Sequence, residues 1–184
     1  WNEIAFWLQN RGLGGSSSNI GTAPWLDPSW FPALAEGKSY AIFTFNFRNG
    51  SQAGLLLDAQ AAFDTVRGLE GVDVSKIASF GASIGADGAP DGCAWHNENF
   101  GEGCLGALSL SPGSYLTVPY NEVVDKLGAE MPPKPVWCFF ATNDGESSTA
   151  CQSASGDHYR MVEWTGGRWH GMELVDPARD PNAL

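Results

Sequence analysis

The chain has 184 residues, 43% hydrophobic and 17% charged, with 10 Lys and Arg against 21 Asp and Glu for a formal net charge of −11. Such a composition folds, which excludes a disordered chain, and the length fits one domain spanning 1–184. The acidity argues against a nucleic acid partner, whose phosphates need Lys and Arg, and no apolar run is long enough for membrane insertion.

In chain order, Ile4 to Leu8 is a short apolar run with strand character, and Gly12 to Ser18 is a Gly/Ser-rich loop. Asp27-Pro28 is a cap followed by proline at the first helical position, which predicts a helix over Pro28 to Glu36. Tyr40 to Phe47, rich in aromatic and branched residues, reads as a buried strand. From Ser51 to Leu69 the residues Leu55, Ala59, Ala62, Phe63 and Val66 recur at helical spacing, with Gln52, Asp58 and Asp64 on other faces. Strands are expected at Lys76 to Phe80, Leu105 to Ser111, Val136 to Thr142 and Tyr159 to Trp164, and a helix at Tyr120 to Leu127.

Strands separated by helical patterns imply βαβ crossovers. The fold class is therefore α/β: a three-layer α/β/α sandwich with a mostly parallel central sheet of about six strands. Such sheets place their ligands at the carboxyl ends of the strands, here just after Phe47, Phe80, Ser111, Thr142 and Trp164.

The four cysteines allow three pairings, with reduced core cysteines as the alternative, and no CxxC or finger spacing supports zinc. The local pairs Cys93–Cys104 and Cys138–Cys151 close short loops and are expected to form disulfides, each tying a loop near the site at the top of the sheet. The segment Gly88 to Gly103 is polar and Gly-rich, unlike a greasy flap. Trp25, Trp30, Trp95 and Trp169 are candidates for a small apolar pocket or for core packing.

Just after the strand ending at Phe80 stands Gly81-Ala82-Ser83-Ile84-Gly85, a G-x-S-x-G in strand–turn–helix context. That context strains the serine backbone and lifts its hydroxyl above the sheet, with Gly81 and Gly85 making room at the turn. A dinucleotide-binding glycine turn fits poorly, because Asp87 stands where a third glycine is needed. A nucleophilic serine needs a base, and the base needs a carboxylate. Asp144 directly follows a strand, whereas Asp157 lies in a polar loop and Asp125 on a helix. His170 lies in a Gly-flanked loop after the last strand, His158 at that strand's wrong end, and His96 only thirteen residues after Ser83. The residues nominated are thus Ser83 as nucleophile, Asp144 as orienting acid and His170 as base.

Together, SWFPALAEGKSYAIFTFNFRNG, GASIG, ATND and WHGM resemble the α/β-hydrolase superfamily over about Asn19 to Leu174, most closely small lidless serine esterases related to dienelactone hydrolases. The resemblance implies an α/β-hydrolase fold shortened at its N-terminus. It implies hydrolysis of short to medium acyl esters through an acyl-enzyme on Ser83, with a small-molecule ester as substrate and neither cofactor nor metal. It implies an oxyanion hole from the amides of Ile84 and Ile20; the second is the position where members carry His-Gly, and here Ser18-Asn19-Ile20-Gly21 stands in its place. It is also consistent with a bacterial extracellular or periplasmic protein whose targeting segment is not in this chain. A prolyl-oligopeptidase-like peptidase and a non-catalytic binding protein are the alternatives.

Overall fold

The structure is a computed structural model that describes residues 40–48, 50–101 and 103–175. The chain divides into two units at Phe45 and Asn46, and every element below belongs to the second. The expected strand Ile4–Leu8, the expected helix Pro28–Glu36 and Ile20 lie outside the described residues.

The elements run α1 (Gln52–Arg67), β1 (Ile77–Ala82), α2 (Ile84–Phe100), β2 (Cys104–Leu110), α3 (Tyr120–Ala129), β3 (Val136–Ala141), α4 (Gly145–Ser153), β4 (Tyr159–Trp164) and a final 3₁₀ turn (Gly171–Val175). Ser51 starts α1 by accepting a hydrogen bond from the Gly54 amide at 3.3 Å. Asp58, which the helical spacing puts away from the core, is buried instead. The Arg48 amide (2.8 Å) and Nε (2.6 Å) donate to its two carboxylate oxygens and hold the carboxyl below its usual range.

The strands form one parallel sheet in the order β1-β2-β3-β4. Among the described residues four strands stand, where about six were expected of the whole chain. Tyr40–Phe47 carries no strand: its aromatic composition has β-propensity, but propensity alone makes no ladder, and β1 pairs only with β2 among the described residues. The register Ala82↔Leu110, Leu110↔Phe139 and Ala141↔Trp164 aligns all four carboxyl ends along one edge.

On one face, Val136, Cys138 and Phe140 of β3 are fully buried against Val123, Val124 and Leu127 of α3, with Cys93 of α2 and Cys151 of α4 in the same cluster. Burial of each large apolar side chain here stabilises the fold by about 1.5–3 kcal/mol. Disulfides Cys93–Cys104 and Cys138–Cys151 fasten this layer to the sheet. Only the second encloses a loop at the top of the sheet. Cys93–Cys104 joins the middle of α2 to the start of β2, at the other end, because Gly88 to Phe100 is helix and not loop. The helices of a three-layer sandwich thus cover one face among the described residues. The opposite face is covered at its carboxyl end, where Leu110 and Ala141 pack with Leu174 and, around them, Trp164, Trp169 and Met172. No described helix is long and apolar enough to cross a membrane.

Helix α2 contains Pro90, which has no N–H to offer the carbonyl of Ala86 one turn back. The Ser109 hydroxyl of β2 donates to that carbonyl at 2.7 Å, so the helix continues through the proline. Gly88 and Gly92 lie where rings pack: a Cβ at either would meet Phe47 at 3.0 Å or Phe63 at 2.4 Å.

Asp91 is buried on α2 one turn after Asp87, and burial together with the Asp87 carboxylate pushes its pKa up to about 7. The folded chain keeps this proton to higher pH than the unfolded chain, where an aspartate releases it near ~3.9. The group's stabilising contribution is full below that value and is lost as pH rises toward neutrality. Asp91→Asn should therefore gain in Tm over the parent protein between about pH 4 and about pH 8, read by thermal unfolding across that range. A Tm difference that stays constant with pH contradicts the assignment.

Candidate active site

Ser83 sits between β1 and α2 with φ 55° and ψ −124°, a backbone conformation that side chains rarely adopt. Its amide is anchored to the Leu110 carbonyl at 2.9 Å. The turn is sharp enough that a Cβ on Gly81 would fall 1.7 Å from the Gly85 carbonyl oxygen. Gly81 is therefore required by space. Gly85 is the neighbour it must clear, and a Cβ at 85 would itself meet only Phe47, at 3.8 Å. The room expected of both glycines is thus needed at one. Ile84 is the first residue of α2, so its amide is one of those a helix start leaves without an intrahelical acceptor.

Asp144 follows β3 and opens α4, with its amide donating to Ala141 at 3.0 Å. His170 follows β4. Its Nδ1 lies 2.8 Å from Asp144 Oδ2, with the Asp144 side chain mostly buried and the imidazole partly open to solvent. The loop that carries the histidine is tied to the loop that carries the acid, since the Thr142 amide donates to Trp164 (2.9 Å) and the Asn143 amide to Gly167 (3.1 Å). The His170 amide donates to Glu173 Oε2 and the Glu173 amide to the His170 carbonyl, both at 3.2 Å, a reciprocal cap on the 3₁₀ turn. Gly171, at φ 58°, packs on the strand-to-helix elbow that carries Ser83: a Cβ there would lie 3.4 Å from Ala82 Cβ and 3.7 Å from the Ser83 amide. Among the described residues the Ser83 hydroxyl makes no hydrogen bond, to the imidazole or otherwise. In unliganded sites such contacts are commonly long and tighten with substrate. Asp144 and His170 are thus joined directly, and Ser83 is brought to them through the backbone after His170.

The competing residues are elsewhere. His158 Nε2 pairs with the Val124 carbonyl at 2.9 Å, before β4 begins. His96 is buried in α2 between the rings of Phe63 and Phe100, and burial lowers its pKa. Asp125 and Asp157 are exposed. Of the tryptophans named for a pocket, Trp95 packs edge-on against Phe100 and Trp169 packs around the Leu110–Ala141–Leu174 cluster, so both serve packing; Trp25 and Trp30 lie outside the described residues. A depression lined by Ala94, Asn97, Glu98, Lys126, Glu130 and Met131 belongs to the far end of α2 and is separate from these loops.

Two residues that shape the site escaped the sequence reading. Asp87, one turn after Ser83, accepts hydrogen bonds from the amides of Gly113 (3.2 Å), Ser114 (3.0 Å) and Tyr115 (3.1 Å). Burial nonetheless raises its pKa to about 6, against the opposing pull of those amides. Ser111 accepts a hydrogen bond from the Gly171 amide at 2.9 Å. The available signal was position: Ser111 ends a strand at the edge where ligands bind, and Asp87 is a carboxylate in an otherwise small-residue helix start.

On the esterase expectation drawn from the sequence, Asp144→Asn leaves the fold intact and lowers ester turnover by about 10⁴-fold, because the amide holds the imidazole in the wrong tautomer. Turnover within tenfold of the parent protein would remove Asp144 from the site. Protein-family models, curated proteins and solved structures were compared with the chain, and none of them matches it.

Proposed function

We propose that the protein is a serine hydrolase of carboxylic esters, built on an α/β-hydrolase fold. The observation that carries the reading is the 2.8 Å Asp144–His170 hydrogen bond beside a serine held at positive φ on a strand-to-helix turn. In this reading His170 Nε2 takes the Ser83 proton as Oγ attacks the ester carbonyl. Asp144 fixes the tautomer with Nδ1 protonated and stabilises the imidazolium. The carbonyl oxygen gains charge next to the start of α2, where the Ile84 amide and the helix dipole favour an anion. The second donor assigned by resemblance, Ile20, lies outside the described residues. His170 then protonates the departing alcohol, and water attacks the acyl-enzyme by the same route in reverse.

The segment between β2 and β3 supports an open site with short or medium acyl esters as substrates. It holds α3 and no second helix to serve as a lid. Two disulfides are compatible with an oxidising, extracellular or periplasmic location.

Ser83→Ala should lower ester turnover by roughly 10⁴–10⁶-fold while retaining the parent Tm. Unchanged turnover rejects the reading, and turnover of amides in preference to esters favours the peptidase alternative. On p-nitrophenyl esters, kcat/KM should rise over the shortest acyl chains by up to the ~0.8 kcal/mol that each buried methylene supplies, then level or fall. A steady climb to the longest chains contradicts an open, shallow site.

A further inference from the structure

We infer that Ser111 is a positioning residue for His170, a role that rests on the serine hydrolase reading of the same site. Ser111 stands directly after β2, the strand lying between β1, which leads to Ser83, and β3, which leads to Asp144. To reach the nucleophile from β4, the His170 segment must pass over the ends of β3 and β2. Ser111 meets it on that path. Its side chain is fully buried, its amide donates to the Phe139 carbonyl at 2.8 Å, and its Oγ accepts the Gly171 N–H at 2.9 Å across a separation of 60 residues.

The geometry is costly, which marks it as specified. Ser111 holds φ 58°, a region where a side chain is strained, and Ser114 repeats this at φ 56°. The segment stays in place because Asp87 accepts hydrogen bonds from the amides of residues 113, 114 and 115. A chain of contacts therefore runs from α2, one turn past Ser83, through residues 111–115 to the peptide that follows His170. The Glu173 carboxylate holds the His170 amide from the other side at 3.2 Å. With both amides held, the remaining freedom of the histidine is its side-chain rotation, and Asp144 fixes that.

Loss of the Ser111 hydroxyl leaves the Gly171 N–H without its acceptor, and the segment shifts to find water. The imidazole then moves relative to both Ser83 and Asp144.

The test compares Ser111→Gly, Ser111→Ala and Ser83→Ala with the parent protein on a short-chain p-nitrophenyl ester. Tm, kcat and KM are recorded for each. Glycine relieves the positive φ, so that variant folds even where alanine is strained. For both Ser111 variants kcat should fall by roughly 10- to 100-fold, the range that misplacement of a reacting group by about an ångström costs, with KM little changed. A kcat equal to the parent's overturns the role, and so does a lowered kcat accompanied by a KM raised to the same extent, since general loosening of the fold gives that result. Activity that persists in Ser83→Ala rejects the hydrolase reading itself, a separate outcome from any result at Ser111.

Discussion

Between Ala82 and Ile84 the chain turns so sharply that the carbonyl of Gly85 occupies the place where a side chain on Gly81 would begin. This crowding is the constraint on which the candidate site depends. It requires glycine at 81, forces Ser83 to positive φ, and sets the start of α2 directly against the end of β1. The hydroxyl is thereby raised at the carboxyl edge of the sheet and the first helical amide sits beside it. The strain of order 1–3 kcal/mol in such a residue persists only where its surroundings over-determine it. Here they do: the Ser83 amide is bonded to β2, and α2 is fastened to β2 by a disulfide and by the Ser109 hydroxyl.

The other two residues depend on the parallel order of the strands. Because the carboxyl ends of β1, β3 and β4 lie along one edge, Asp144 and His170 need only short loops to meet. The His170 segment is then closed onto the elbow by Gly171 and bonded to Ser111, Glu173 and, through Gly167, the Asn143 amide. The polar groups beneath the site form a graded system. Burial drives both Asp87 and Asp91 toward the neutral form, but Asp87 is held by three amides, whereas Asp91, one turn further along the helix, also meets the Asp87 carboxylate. Cys138–Cys151 encloses Asp144, so the acid rides on a loop whose ends are covalently joined.

How legible this was depended on whether local pattern and tertiary packing agreed. Tyr159–Trp164 is the strand that its branched and aromatic residues announce, and Tyr120 opens a helix where one was expected. Asp144 and His170 were legible because each follows a strand in a polar or Gly-rich turn. Tyr40–Phe47 misled, since strand propensity says nothing about whether a partner edge is in reach. Helix α2 misled in the opposite sense. Gly88, Pro90 and Gly92 read as loop, yet the glycines admit the rings of Phe47 and Phe63, and Ser109 replaces the hydrogen bond lost at proline. Compensation of this kind comes from residues far away in sequence, beyond any local window. Asp58 was placed away from the core for the same reason: its burial depends on Arg48, outside the helix.

Covalent trapping asks whether Ser83 is a nucleophile activated by His170. Folded protein is treated with a fluorophosphonate and digested, and the modified peptide is sequenced by mass spectrometry. One phosphonyl group per chain is expected, carried by Ser83 and nearly absent from a folded His170→Ala variant. A folded parent protein that takes up no phosphonate, or takes it up on another residue, would contradict it.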